Sequence, residues 1–406
     1  MISIRNYKDK NVGILGAGLS GLAAAKILLN SKANIYIFDD KKNKPDIVKK
    51  NNWKDYKLWP WASLTTLVVS PGIPINATKK HDAIKLAIKN KIKIINEIDL
   101  FVQTKPKARI IGITGTNGKS TTVALLFHIL KFNKISCVIG GNYGFPACEI
   151  KDPGKNGIII LELSSYQLDG VKNLSLELAS ITNITPDHLD YHETFHKYKL
   201  CKLKIIKFLK RNGTFILNVN NKLLSKIIND KILKSINIIK IKNSKVNNYI
   251  NDNDYLNGFH NKINGSIAIS IAKYLKISDE QIKHAIKHFK GLPHRMEPLH
   301  ISDNFKIIND SKSTNGESTA AALQSFENIF WIVGGQPKLG GIGASKNFLD
   351  RVIEAFLIGK STNFFKKEIS KFRQGLPLHN CLTLEKATQL ALKKSEKSNL
   401  KKYVIL

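Results

Sequence analysis

The chain has 406 residues, 43% of them hydrophobic and 8% aromatic, which excludes general disorder and gives length for two to four domains. Its 64 basic residues against 31 acidic ones set the formal charge at +33, yet only six of the basic residues are arginine and the 58 lysines run along the whole chain. A nucleic-acid binder gathers such charge on one face or tail, so no nucleic acid is expected as partner, and the excess favours small anions such as nucleotides.

From Asn11 the run NVGILGAGLSGLAAAKILLNSKANIYIFDD reads as a strand, a glycine-rich turn, a helix and a second strand ending at Asp39 and Asp40, a βαβ unit. LTTLVVSPG predicts a strand over 64–69 stopped by Pro71-Gly72, and KKHDAIKLAIKNKIKIINEID a helix feeding a strand near 92–96. Residues 1–104 are expected to form a first α/β domain, with 103–108 as the linker. A second domain, 105–297, opens on the strand RIIGIT (109–114), the loop GTNGKST and a helix. Apolar runs at 135–139, 158–161 and 178–181 predict strands covered on both faces. The Asn- and Lys-rich segment 221–256 reads as short strands and surface turns. A third domain, 298–406, carries a strand at 305–309, the loop DSKSTN, a helix to about 325, a strand at 329–333, the loop GGQPKLGGIG and a short final strand in YVIL. The fold class is thus α/β: a Rossmann-like N-terminal domain, a central P-loop domain and a Rossmann-like C-terminal domain. No repeat or heptad run occurs.

The strongest chemical signal is Gly115, Thr116, Asn117, Gly118, Lys119, Ser120 and Thr121 between strand and helix. Its backbone N–H groups suit phosphate oxygens, Lys119 the β/γ-phosphates of ATP, and the hydroxyl of Ser120 or Thr121 a Mg²⁺ ion. Gly16, Gly18 and Gly21, with Asp39 23 residues after Gly16, fit a dinucleotide turn and raise the alternative of hydride transfer. A second phosphate loop in the same chain argues for ATP in one cradle and another phosphorylated molecule in the other. Glu162 and His188 lie near strand ends, where open α/β sheets bind ligands, and suit divalent cations beside the P-loop; a surface acid and a helix-cap histidine are the alternatives. His192 and His196 follow His188 without an HExxH pattern, so zinc is not expected. Asp310, Lys312 and Thr314 directly follow a strand and suit ribose or an anionic group, with a solvated turn as alternative. Arg295, rare in this chain, suits phosphate. Cys137, Cys148, Cys201 and Cys381 show no CxxC spacing, and no run reaches membrane-span length or forms a secretory h-region. A cytoplasmic setting is expected, without a membrane partner.

The order GAGLSG, SPG, GTNGKST, GGNYGFP, ELSSYQL, NITPDHLD, LNVNN, GFHNKIN, GLPHRME and NDSKSTN resembles the Mur ligases over nearly the whole chain, nearest to those that add D-glutamate. The resemblance implies amide-bond formation with ATP and Mg²⁺, through an acyl phosphate, between UDP-N-acetylmuramoyl-L-alanine and D-glutamate in peptidoglycan precursor synthesis. It implies contacts from Gly16, Gly18, Leu19, Ser20, Asp39, Asp40 and Gly72 to the UDP portion, and from Asn142 and His188 to the same substrate. Ser120, Glu162, His188 and Lys202 would organise the metal, Lys202 as a carbamate. Asn261, Asn264, Arg295 and Asp310 would meet adenine and ribose, and Lys312, Thr314 and Lys338 D-glutamate. A monomer is expected. Two departures stand out: Asn221 replaces a usual aspartate, and the chain stops at Leu406, where the family continues for some thirty residues that help hold D-glutamate. This raises another amino-acid ligase of the family, or an impaired fragment that only binds nucleotide and UDP-sugar, as alternatives.

Overall fold

The β-branched run from Asn11 builds β1 (Asn11–Leu15), buried from its second residue onward, as a strand between covered faces must be. The structure, a computed structural model, describes residues 2–41, 44–45, 52–227, 236–242, 246–251, 253–256, 258–337, 340–398 and 400–406. After β1 come α1 (Leu19–Asn30), β2 (Asn34–Phe38), β3 (Leu64–Val69), α2 (Asp82–Lys89), β4 (Lys93–Ile95) and α3 (Glu97–Gln103). These strands form a parallel sheet in the order β2-β1-β3-β4. Trp59 covers it: a Cβ on Gly13 in β1 would lie 2.5 Å from the Trp59 ring, so glycine is required there.

The second sheet is built from β5 (Arg109–Thr114), α4 (Lys119–Phe132), β6 (Cys137–Gly141), β7 (Ile158–Glu162), α5 (Ser165–Gly170), β8 (Leu176–Ile181), α6 (Leu189–His192), α7 (Phe195–Lys207), β9 (Leu209–Asn218), α8 (Lys222–Ile227) and β10 (Asn237–Ile241). Its order is β10-β9-β8-β5-β7-β6, parallel throughout. Where the polar segment after 221 suggests only short strands and turns, α8, β10 and a further short helix form. β9 and β10 add two strands whose solvent-facing Lys and Asn residues hide their apolar pattern.

Both sheets belong to one compact unit, residues up to Lys242 with Ile267–Ser278. The sequence NEID at the start of α3 joins them. Asn96 ends β4 and caps α3, accepting from the Asp99 N–H at 3.2 Å, and its amide donates to the Gln167 carbonyl of α5 at 2.7 Å. Asp99 accepts from the N–H groups of Lys172 and Asn173 at 3.0 and 2.9 Å. Glu97, 1% exposed, accepts from the Cys148 N–H at 2.7 Å, while the Cys148 thiol donates to the Glu97 carbonyl. Thr78 donates to Glu193 through both N–H and hydroxyl, and Asn76 reaches Asp169.

The other unit comprises Asn243–Ser266 and Asp279–Leu406. Along the chain from Asn247 lie α9 (Asn247–Ile250), α10 (Phe259–Tyr274), α11 (Asp279–Lys287), β11 (Glu297–Ile301), β12 (Phe305–Asn309), α12 (Gly316–Gln324), β13 (Ile329–Gly334), β14 (Val352–Ile358), α13 (Thr362–Phe372), β15 (Leu378–Leu382), α14 (Leu384–Glu396) and β16 (Tyr403–Ile405). The sheet order is β11-β12-β16-β13-β14-β15, antiparallel only at β11/β12. The YVIL strand therefore lies inside the sheet, paired with β12 through Phe305–Tyr403 and with β13 through Phe330–Ile405.

Burial pushes the Glu97 carboxyl from 4.5 up to about 7, against the opposing hydrogen bond from Cys148. The folded chain thus keeps a proton that the unfolded chain releases, so stability is full below about pH 4.5 and falls as pH rises through 7. The size is on the order of 3 kcal/mol. Glu97→Gln, which stays neutral, is expected to lose this slope. Urea denaturation between pH 5 and 8 should show the variant gaining on the wild type as pH rises, and parallel profiles would contradict the assignment.

Candidate active site

Parallel strands bring their carboxyl ends to one edge, and in the central sheet that edge collects the chemistry. β5 runs into the loop from Gly115, β7 ends on Glu162, Asn142 follows β6, and Thr182 and Asn183 follow β8. Gly115 takes φ +152°, and a Cβ there would lie 1.8 Å from the Thr182 hydroxyl, so no other residue fits. The N–H groups of Thr116 and Asn117 donate to the carbonyl and the side-chain oxygen of Asn183, each at 2.9 Å. Thr182 donates back to the Asn117 carbonyl at 2.6 Å. The Thr116 hydroxyl donates to the Thr185 carbonyl and meets the Tyr198 hydroxyl at 2.8 Å. The loop is thereby held with the first turn of α4 at the edge, where helix N–H groups favour phosphate oxygens.

Two lysines converge on one carbonyl. Lys119 donates to the carbonyls of Gly115 and Thr116 at 2.9 and 2.8 Å, and Lys202, from α7, donates to that of Gly115 at 2.6 Å. Lys202 is 1% exposed and lies over the Tyr198 ring at 4.7 Å. Burial, then the neighbouring Lys119 charge, holds its pKa well below the ordinary lysine value. Glu162 is equally buried; Oε1 accepts from Asn142 at 2.6 Å, and Oε2 has no hydrogen-bond partner among the described residues. His188 has left-handed backbone, φ +53°, its Nδ1 2.7 Å from the Tyr166 hydroxyl and its Nε2 3.7 Å from Asp187 Oδ2. His192 is buried, its Nε2 unpartnered, and burial lowers its pKa to about 4, so its ring is neutral at pH 7.

A buried carboxylate oxygen with no partner among the described residues, at the same strand edge as the buried hydroxyl of Ser120, fits a hard divalent cation. No group of three or more His, Cys, Asp and Glu among the described residues is arranged to hold a metal. A cation here would rest on few side chains, the pattern of magnesium, which keeps waters and phosphate oxygens. An open cavity of about 710 Å³ lined by Arg109, Lys273 and Tyr274 lies at the start of β5, away from this edge.

The corresponding edge of the first sheet holds Gly16, Gly18, Leu19, Ser20, Asp39, Asp40 and Gly72, each following β1, β2 or β3. Asp39 is occupied in shaping the turn: its oxygens accept from the N–H groups of Ala17 at 2.7 Å and Lys41 at 2.9 Å. Gly21 packs so closely that a Cβ would lie 2.0 Å from the Gly16 carbonyl oxygen. Asp40 faces Nε2 of His81 at 3.1 Å, while Nδ1 of that ring accepts from the Ala83 N–H. Leu19 is 81% exposed at the mouth of the turn, and the Cα of Gly72 faces open space.

In the other unit Asn261 and Asn264 are buried on α10, hydrogen-bonded to each other at 3.0 Å. Asp310 accepts from the Met296 N–H at 2.9 Å and from the Ser313 hydroxyl; burial raises its pKa and the Arg295 charge opposes that. Lys312 and Thr314 are exposed on the loop leading to Asn315, the cap of α12. Lys338 lies outside the described residues. Sequence reasoning missed Tyr166, Thr182, Asn183, Asp187 and Tyr198. Thr182 and Asn183 alone carried a local signal, two polar residues directly after an apolar strand.

Residues 113–283 match the family model of the Mur ligase middle domain. The UDP-N-acetylmuramoylalanine--D-glutamate ligase of Agrobacterium fabrum is 32% identical, with 98% of this chain and 89% of that one aligned. That of Rickettsia prowazekii is 34% identical, with 88% and 84% aligned. Among solved structures, the MurF ligase of Thermotoga maritima in complex with ADP superposes with a TM-score of 0.61 at 15% identity, covering 100% of this chain and 92% of that one. A pseudomurein peptide ligase type C from Methanothermus fervidus gives 0.57 at 18% identity, with 98% and 96% covered. These two show the fold.

Gly115→Ala is expected to force the loop off Thr182, destabilising the chain by about 1–3 kcal/mol. ADP affinity should fall at least tenfold; calorimetric titration at unchanged affinity would contradict the close packing described.

Proposed function

The chain belongs to the Mur ligase family, among its UDP-N-acetylmuramoylalanine--D-glutamate ligases, and we propose that its central strand edge is where ATP activates a UDP-linked carboxylate for amide formation. The observation that carries this reading is the convergence of a phosphate loop, two lysines on the Gly115 carbonyl and the unpartnered Glu162 oxygen at one edge. An oxygen of the free carboxylate of UDP-N-acetylmuramoyl-L-alanine attacks the γ-phosphorus of ATP, and ADP leaves. The amine of D-glutamate then attacks the acyl carbon; the tetrahedral intermediate expels phosphate, the nitrogen loses a proton, and the amide remains. Carboxylate is a poor electrophile, and phosphorylation supplies its leaving group. The protein's part is positioning and charge stabilisation.

The loop from Gly115 to Thr121 cradles the ATP phosphates, with Lys119 at the β/γ oxygens. Asn261, Asn264, Arg295 and Asp310 take adenine and ribose. Gly16, Gly18, Leu19, Ser20, Asp40 and Gly72 meet the UDP portion, Asp39 acting by closing the turn, and Asn142 and His188 its remaining part. Lys312, Thr314 and Lys338 address the D-glutamate carboxylates. Ser120, Glu162 and His188 would hold Mg²⁺, which neutralises phosphoryl charge when bound. Burial disfavours the Lys202 proton, so this lysine reaches its free-amine form more readily than an exposed one; that amine attacks CO₂, and the new N–C bond and the departing proton leave a carbamate, an anion that suits a cation. The reaction is assigned to the cytoplasm, where ATP and UDP-sugars are made.

Purified chain with ATP, Mg²⁺ and UDP-N-acetylmuramoyl-L-alanine is expected to release phosphate only when D-glutamate is added, with the amide seen by mass spectrometry. Lys202→Ala should lower that rate about 100-fold or more. Turnover equal with another amino acid, or none at all with ATP bound, would overturn the reading.

A further inference from the structure

Tyr166 has no role in the reading above, yet its hydroxyl makes the 2.7 Å contact with Nδ1 of His188. We propose that Tyr166 is the positioning residue for His188, fixing the plane of that imidazole and holding its Nδ1 in a hydrogen bond so that Nε2 is turned to the reacting edge. The proposal rests on the reading of His188 as an active-site group.

Three observations carry it. The His188 backbone is left-handed, a conformation unfavourable for a residue with a Cβ and kept only where the surroundings impose it. Those surroundings are identifiable: Asp187 accepts from the His188 N–H at 2.9 Å, and the first turn of α6 donates to the His188 carbonyl from Tyr191 and His192. The backbone is thus set from one side, and the ring needs its own restraint. Tyr166 supplies it on two counts, the hydroxyl contact and a tilted ring contact with centroids 4.8 Å apart.

Tyr166 is itself fixed. It packs on Tyr191 with centroids 4.3 Å apart and stacks on His192 at 6.0 Å. It sits in the first turn of α5, whose start is closed by the reciprocal Ser164–Gln167 capping pair. The Gln167 carbonyl receives the Asn96 amide and Asp169 receives Asn76, so the helix that aims Tyr166 is tied to the first sheet.

The chemistry follows from the hydroxyl's two capacities. With Asp187 Oδ2 3.7 Å from Nε2, the carboxylate favours a proton on Nε2, and the Tyr166 hydroxyl donates to Nδ1. When Nε2 must present its lone pair, the proton resides on Nδ1, which then donates its hydrogen bond to the oxygen of the same hydroxyl. A partner on the far nitrogen orients a ligating imidazole and raises its basicity, and its loss typically weakens metal affinity or activity by about 10–100-fold. Phenylalanine would keep the ring packing and lose both capacities.

The test is Tyr166→Phe in the full chain, read first without metal or substrate. With ¹⁵N-labelled histidine, the His188 signals, assigned by their loss in His188→Gln, should show one neutral tautomer in the wild type, protonated at Nε2. The variant should show both tautomers in exchange while its melting temperature stays within a few degrees. In phosphate release, the Mg²⁺ concentration for half-maximal rate should rise about 10–100-fold. Unchanged His188 signals, or an unchanged Mg²⁺ requirement, would overturn the proposal. If the wild type fails to turn over, the functional reading fails, and the nitrogen signals still decide whether Tyr166 sets the ring.

Discussion

Two ammonium groups aimed at a single carbonyl oxygen, that of Gly115, are the constraint around which the central sheet is organised. Like charges at 4 Å repel by about 4 kcal/mol near a protein surface, and more where water is excluded. Lys202 is the deeper of the two, and the protein resolves the conflict by disfavouring its proton. Lys119 keeps its place in the first turn of α4, next to loop carbonyls that any bound phosphate would compete with for its charge. The two lysines therefore differ in how readily they hold a proton, although the residue types are identical. Burial on α7 makes the difference, and so the packing of that helix belongs to the chemistry.

A second layer of organisation runs through α3. Its cap Asn96 and first-turn acids Glu97 and Asp99 tie the first sheet to the central one by hydrogen bonds, beside Ile98, Leu100 and Phe101, which are buried in an apolar core that both sheets share: Asn96 reaches α5, Glu97 the segment after β6, and Asp99 the turn before β8. Such groups cannot slide as apolar faces do, because a hydrogen bond is lost as soon as its donor and acceptor move out of line. The two strand edges are held in fixed register, which a reaction joining a UDP-linked carboxylate to ATP requires.

How much of this was legible in the sequence depends on whether the signal is local. The phosphate loop is legible because its glycines, lysine and hydroxyls are contiguous and flanked by an apolar strand and helix. The first glycine turn is legible likewise, although the part Asp39 takes in closing it is not. Lys202 is invisible among 58 lysines; only the family resemblance singles it out, and only the fold shows why it is unlike the rest. Tyr166 and His188 are 22 residues apart, and their contact exists because parallel β7 and β8, which flank β5, deliver the following segments to the same sheet edge. β9 and β10 escaped because solvent-facing Lys, Arg and Asn dilute the apolar pattern on which strand prediction rests, and β15, LHNCL, because it has few apolar residues; β14, VIEAFLI, is an apolar run broken only by Glu354, and a continuous apolar run by itself does not distinguish strand from buried helix.

The placement of β16 carries a consequence for biosynthesis. This three-residue strand is the seam between β11–β12 and β13–β15, so neither half of that sheet meets the other until Tyr403–Ile405 has been synthesised. At about 5–20 residues per second, the ribosome takes on the order of 5–20 seconds to travel from β12 to β16. Throughout that interval the inner edges of β12 and β13 present unpaired backbone groups, the feature by which strands recruit foreign chains. The nascent chain is therefore most prone to aggregate in the interval before β16 emerges, and its yield in a cell depends on how well chaperones shield those two edges until the seam is delivered.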